Sequence, residues 1–195
     1  MNASAQTPPS LTASILRGGL GFAAVSVAAF AVWAYGGAWL GAHLKEAGFY
    51  AVDAAVFLAL SGLALHPLVR GPRSFRRFLT VFVPAFLAYA VTWCGIWFAL
   101  RFGLGEWLAS LGGCLAFALV VGGFLGNRRS LPAVVVVLFA THSAGYFLGG
   151  PLHYQSGPEH RVLGILGWGL AYGLGFGTGI GYAFHTFQRK ASDAS

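Results

Sequence analysis

Charged side chains are scarce in this chain. Lys, Arg, Asp and Glu make up 9% of its 195 residues, and Asp and Glu together number only 5. Since a soluble globular domain is usually about a quarter charged, this composition cannot cover a water-exposed surface. Hydrophobic residues make up 57% of the chain, and the mean hydropathy is +0.71. The composition excludes a separate soluble catalytic domain and predicts that lipid surrounds most of the protein.

Cysteine is almost absent, which excludes a disulfide framework. Cys94 and Cys114 are the 2 cysteines, and both lie inside apolar stretches without paired or metal-ligand spacing. They are interpreted as small apolar core residues. The sequence contains no cofactor motif, so we expect no cofactor.

Six long apolar stretches fill most of the chain. Each is close to the ~20 residues that cross a hydrocarbon core of ~30 Å. The predicted spans are 18–42, 51–69, 78–100, 105–126, 131–152 and 161–186, with polar tails at 1–17 and 187–195. The sequence therefore predicts an all-α integral membrane protein with a single six-helix transmembrane domain.

Basic residues predict the orientation of these spans. Nine of the 12 Lys and Arg residues lie at the two ends of the chain and in alternate gaps between spans. Cytoplasmic loops retain Lys and Arg during insertion, so both termini are predicted to be cytoplasmic. The compact chain favours a multi-pass protein of a bacterial inner (plasma) membrane. The net charge of +7 follows from this topology, and no nucleic-acid partner is expected.

Tryptophan placement agrees with this orientation. Amphipathic rings prefer the headgroup level of a bilayer. Trp39, Trp97 and Trp107 lie near the predicted outer ends of their spans, and Trp33, Trp93 and Trp168 lie deeper in the outer half. These residues are interpreted as an aromatic belt in the outer leaflet.

A glycine ladder occupies the last span. Its members recur at every fourth residue: Gly169, Gly173, Gly177 and Gly181. One helix face therefore lacks side chains for about three turns, which favours close helix packing in lipid. Gly175 and Gly179 form a second stripe on roughly the opposite face. The spacing predicts a central or oligomer-forming helix, and a pore-lining glycine zipper is a more ambitious interpretation.

His142 is the only ionisable residue predicted to lie near the middle of the membrane. Ser143 is its polar neighbour, and Tyr146 shares its helix face. A buried ionisable residue is costly and often lines a bundle interior or an aqueous cavity, so these three are candidate pathway residues. The alternative is a neutral imidazole that makes one hydrogen bond between helices, worth ~1 kcal/mol.

Polar residues also collect in the predicted outer loops and the helix ends beside them. They are His43, Glu46, Asp53, Glu106, His153, Glu159 and His160. Imidazole and carboxylate groups suit borderline metals, which makes His43, His153 and His160 weak metal-ligand candidates. Their spacing matches no recognised motif, so solvated loop polarity is favoured.

A basic loop lies on the opposite side of the predicted membrane. Arg70, Arg73, Arg76 and Arg77 occupy eight residues between the second and third spans. Each basic residue near an anionic surface contributes up to ~1 kcal/mol, so anionic lipid of the inner leaflet is a predicted partner.

Three classes of function fit these patterns. A small permease or channel for a small solute or lipid would use His142 in its pathway. A non-catalytic accessory or assembly subunit would need no buried ionisable group. An enzyme acting on lipid is the third, since only the outer His and carboxylate cluster could supply acid and base groups. A homo-oligomer or a membrane-protein partner is expected.

Overall fold

The computed structural model describes residues 9–69, 71–101, 103–126 and 128–189, and the regular structure of these ranges is entirely helical. The long helices are α1 (Leu11–Leu65), α2 (Ser74–Leu100), α3 (Leu104–Leu125), α4 (Leu131–Tyr154) and α5 (Arg161–Phe187). Short 3-10 segments lie at His66–Leu68, Arg128–Ser130 and Pro158–His160. All five long helices are long and apolar enough to cross a membrane.

The first two predicted spans form one helix that reverses direction. Lys45 has φ 58° and ψ −177°, which interrupts the helical backbone of α1. The limbs 11–44 and 46–65 pack against each other, because the rings of Phe22 and Phe57 stack with centroids 5.4 Å apart. A straight helix of these 55 residues would be about 80 Å long, so this contact requires a hairpin.

Neighbouring helices run in opposite directions through the bundle. Gly62 of α1 packs on Leu79 of α2, and Gly112 of α3 packs on Ile96 of α2. Helix α5 runs antiparallel to α4 and to the first limb of α1. We call one end of the bundle the Lys45 end, where Lys45, Arg101 and Gln155 lie, and the other the Ser74 end, where Ser10, Ser74, Ser130 and Phe187 lie.

The helix boundaries have local causes. Ser10 caps α1 by accepting a hydrogen bond from the backbone N–H of Ala13 over 3.1 Å. The predicted polar tail 1–17 is therefore helical from Leu11 onward. At its other end α1 stops at Leu65 and passes into the 3-10 segment His66–Leu68, because Pro67 has no N–H to continue the α-helical hydrogen bonds.

Phenylalanine rings fill the core of the bundle on the Ser74 side. Phe78, Phe82 and Phe86 project from one face of α2, with successive ring centroids 4.8 and 5.5 Å apart. Phe117 of α3 packs on Phe82 with ring centroids 6.1 Å apart, Phe176 of α5 packs on Phe117 at 5.7 Å, and both are completely buried. This layer of rings closes the interior between the middle of the bundle and the Ser74 end.

Candidate functional site

A cavity of about 310 Å³ lies inside the bundle near the Lys45 end. Aromatic side chains form most of its wall: Phe30, Trp33, Phe49, Tyr50, Phe57, Phe86, Tyr89, Trp93, Trp97, Tyr146, Tyr154, Trp168 and Tyr172. The other lining residues are Asp53, Ala54, Ala90, Cys94, Glu106 and His153. All helices contribute to the lining, so the cavity depends on the folded bundle rather than on one loop.

The helical repeat of α1 and α2 brings the lining residues together. In the second limb of α1, Tyr50, Asp53 and Phe57 recur at spacings of three and four. In helix α2, Tyr89, Trp93 and Trp97 recur at every fourth residue, and residues three or four apart share one helix face. Phe57 and Tyr89 are each twelve residues from the Lys45 end of their helices, so the cavity floor lies about 18 Å deep.

The polar groups of the cavity are placed on different walls. Glu106 of α3 accepts a hydrogen bond from the Tyr146 hydroxyl of α4 over 3.2 Å. The Oδ1 atom of Asp53 is buried and has no hydrogen-bond partner among the described residues. His153 lies between two indoles, with its ring centroid 4.9 Å from Trp33 and 5.9 Å from Trp168. The cavity therefore combines π faces with two carboxylates.

One cavity indole is held by a hydrogen bond and others by ring contacts. The Nε1–H of Trp168 donates to the backbone carbonyl of Tyr146 over 3.0 Å. Trp93 and Trp97 stack with centroids 6.0 Å apart, and Trp93 contacts the Tyr146 ring edgewise at 5.7 Å. Four of the six tryptophans, Trp33, Trp93, Trp97 and Trp168, therefore face the interior cavity. Of the predicted belt, Trp39 and Trp107 are the residues with exposed rings.

His142 lies next to the cavity but does not line it. The residue is completely buried, and its Nε2 is hydrogen-bonded to the Tyr89 hydroxyl at 2.7 Å. The same hydroxyl lies 3.1 Å from the Tyr172 hydroxyl. Since both tyrosines line the cavity, His142 is connected to it through one hydrogen bond. The Nδ1 atom of His142 has no hydrogen-bond partner among the described residues.

The three pathway candidates point to different places. Tyr146 lines the aromatic cavity, whereas Ser143 lines a second, apolar hollow of about 520 Å³ between α3 and α4. The Ser143 hydroxyl is buried without a hydrogen-bond partner among the described residues. His142, Ser143 and Tyr146 therefore do not form one continuous path.

Only part of the predicted outer polar cluster is assembled. Asp53, Glu106 and His153 line the cavity, whereas His43 stacks on Trp39 at an exposed position and His160 is exposed in the last 3-10 segment. In the described ranges, no group of three or more His, Cys, Asp or Glu residues is placed to hold a metal ion. The three weak metal-ligand candidates are thus not brought together.

The glycine ladder of α5 lies against the first limb of α1. Gly177 and Gly181 meet the backbone carbonyl groups of Gly18 and Ser14, and an added Cβ on Gly173 would lie 2.5 Å from the Cα of Ala23. Gly169 packs on the Phe30 side chain. On the other face of α5, Gly175 meets the carbonyl of Thr141 in α4. Close backbone approach on two faces therefore fixes α5 between α1 and α4.

The basic loop lies at the Ser74 end. Arg73, Arg76 and Arg77 are exposed, and Arg73 takes a left-handed conformation with φ 60° immediately before α2. Arg70 falls outside the described residues. The three described arginines are on the surface of the bundle end that lies opposite the cavity.

No protein-family model, curated protein or solved structure matches this chain. Its function is therefore inferred from the geometry of the cavity and its surroundings.

Proposed function

We propose that this protein is a small permease of a bacterial inner membrane that binds a small solute in the aromatic cavity. The observation that carries the proposal is the cavity itself, whose floor lies about 18 Å from the Lys45 end of the bundle. Ligand sites are typically concave, mostly apolar and equipped with a few polar groups. The aromatic walls with Asp53, Glu106 and His153 have this composition.

In the proposed topology the chain crosses the membrane six times, with both termini in the cytoplasm. The two limbs of α1 support separate crossings, since the limb 46–65 alone is about 30 Å long. The arginines of the basic loop assign the Ser74 end to the cytoplasm and the cavity to the outer side.

The packed phenylalanine layer favours a carrier over an open channel. Phe82, Phe117 and Phe176 are completely buried between the cavity floor and the Ser74 end. A solute in the cavity cannot pass this layer unless the helices rearrange. We assign His142 a gating role within this proposal, because its hydrogen-bond partner Tyr89 forms part of the cavity floor.

An accessory or assembly subunit is the second candidate. The observation that favours it is the complete burial of His142 between helices, away from the cavity surface. A homo-oligomer, another membrane protein and anionic lipid at the arginine loop are the partners that we propose for either function.

Cys94 offers a direct test, because it lines the cavity whereas Cys114 is completely buried. In right-side-out vesicles, a membrane-impermeant thiol reagent added outside should label Cys94 and leave Cys114 unmodified. Cys94→Ser should abolish the labelling. If Cys94 does not react from outside, the cavity does not open to that side and the proposal is wrong.

A second cysteine distinguishes the permease from the accessory subunit. Val81 is 6% exposed and lies beyond the cavity floor towards the Ser74 end. In a variant without native cysteines, Val81→Cys should react slowly with an impermeant reagent added on the cytoplasmic side, since a carrier opens there transiently. If Cys94 reacts from outside and Val81→Cys never reacts from inside, the cavity is static and the accessory function is favoured.

A further inference from the structure

We propose that the solute bound by the aromatic cavity is a small organic cation of the alkylammonium class. This inference rests on the proposed function of the cavity as a solute site. Three independent features support it: the sign of charge in the cavity, the missing partner of Asp53, and the aromatic walls.

The cavity is acidic in a chain that is strongly basic overall. The net charge is +7 and Asp and Glu number only 5, yet Asp53 and Glu106 both line this cavity. Among the described lining residues there is no Lys or Arg, and His153 is the one side chain that could become cationic. An anionic solute would meet two carboxylates there, so its binding is disfavoured.

One carboxylate oxygen of the half-buried Asp53 lacks a partner. Its Oδ1 is buried without a hydrogen bond to any described residue. Burial of an unpaired carboxylate is costly, and the cost is offset by a cation or by hydrogen-bond donors. Arg101, whose guanidinium lies over the lining residue Trp97, is instead paired with Glu46 at 3.8 Å. A cationic ligand would provide the missing partner of Asp53.

The walls suit a cation that carries alkyl groups. Indole and phenol faces attract ammonium groups through their quadrupoles, most strongly when water is excluded. Trp97, at the mouth, already binds a cation in this way, since the Arg101 guanidinium lies 4.7 Å from its ring centroid. A bare metal ion fits less well, because the described residues place no three metal ligands together. The volume of about 310 Å³ is at the lower end of ligand sites, which favours a small solute.

Choline and its uncharged isostere 3,3-dimethylbutan-1-ol test this inference, because they share shape and differ in charge. Binding to the purified protein can be followed by tryptophan fluorescence, as four indoles line the cavity. We expect choline to bind on the order of tenfold or more tightly than the isostere. Asp53→Asn should remove most of this preference, and Glu106→Gln should reduce it.

Substitutions outside the cavity serve as matched controls for the substitutions of lining residues. Glu159 is an exposed carboxylate of the last 3-10 segment and does not line the cavity, so Glu159→Gln should leave choline binding unchanged. Trp93→Leu should weaken binding, whereas Trp107→Leu, at a ring that is 47% exposed, should have no effect. Thermal melting of each variant shows whether a loss of binding reflects unfolding, and Glu106→Gln provides a second readout if Asp53→Asn does not fold.

The outcomes separate the inference from the proposed function. Equal binding of choline and the isostere, unchanged by Asp53→Asn, would mean that the cavity binds solutes without selecting cations, and only the inference would be wrong. If neither compound binds and Cys94 is unreactive from outside, the solute site itself is refuted. If neither compound binds while Cys94 reacts, the cavity is open but does not take alkylammonium cations, and the inference is again wrong.

Discussion

Replacement of Gly173 by alanine tests whether α5 and the first limb of α1 meet backbone to backbone. An added Cβ would lie 2.5 Å from the Cα of Ala23 and 2.7 Å from the Cβ of Ser26. Ordinary van der Waals contacts begin at 3.4 Å, so the two helices must separate by nearly 1 Å. Because the Cα of Ala23 is a main-chain atom, no rotamer change can relieve the overlap.

The expected effect is a net loss of stability. Overpacking of a well-packed interior costs about 1–3 kcal/mol. Replacement of a helical glycine by alanine returns about 0.5–1 kcal/mol by restricting the unfolded chain. Gly173→Ala should therefore destabilise the protein by up to about 2.5 kcal/mol.

Gly95 provides a matched control in α2. A Cβ at this position would meet nothing within 4 Å. Gly95→Ala makes the same chemical change without the contact, so it should be neutral or stabilise by up to about 1 kcal/mol. The difference between the two variants isolates the contact between α1 and α5.

Reversible unfolding in mixed micelles of a mild detergent and SDS measures both variants. Gly173→Leu should lose more stability than Gly173→Ala, whereas Leu174→Ile, at a side chain that is 39% exposed, should be tolerated. Equal stability of Gly173→Ala and Gly95→Ala would refute the close approach of the backbones. The oligomeric state, measured alongside, reports whether the same surface also holds a second copy.

Three further predictions concern topology, lipid and the buried histidine. In a background without native cysteines, a cysteine at Ser74 should be labelled from the cytoplasmic side and one at Gly157 from outside; labelling of both from one side would contradict the three crossings, by α2, α3 and α4, that are proposed between them. Conversion of the four arginines in 70–77 to glutamine should reduce the anionic lipid retained in native mass spectrometry, and unchanged retention would refute lipid binding by this loop. His142→Gln should fold and lose solute uptake, because glutamine keeps hydrogen-bonding ability but cannot titrate in the range of imidazole. If His142→Gln works normally while His142→Leu is destabilised, the residue is structural.

Most helix positions could be predicted because hydropathy reports them directly. The predicted spans 78–100, 105–126, 131–152 and 161–186 lie within four residues of α2, α3, α4 and α5. The boundary between the first two spans is not predicted by hydropathy. The predicted gap 43–50 is helical on both sides of Lys45, and the chain reverses direction at Lys45 itself. Hydropathy marks where the chain leaves lipid, but it does not report whether the backbone stays helical there.

The sequence pattern does not predict the cavity, for a different reason. Trp33, Trp93 and Trp168 were interpreted as an interfacial belt, because tryptophan in a membrane protein is common at that depth. A lipid-facing indole and a cavity-facing indole differ only in the direction of the side chain. The spacing of Tyr50, Asp53 and Phe57 was the available signal, since a carboxylate on an aromatic helix face has no place in lipid.

The environment of His142 could be predicted only in part. Its depth follows from its position in α4, and its burial agrees with a residue that avoids lipid. Its partner Tyr89 is 53 residues away on α2, and no local pattern links the two. Pairings of this kind arise from tertiary packing and need the assembled bundle.

The contact between α1 and α5 joins residues that are far apart in the chain, such as Gly18 and Gly177. Until the ribosome has released α5, the glycine surface of α1 around Gly18 has no permanent neighbour, and the bundle lacks its central helix. A polypeptide that stops after α4 would leave this glycine surface of α1 without its packing partner. The packing of α5 into this surface is therefore a step that can follow only after all five long helices have been synthesised.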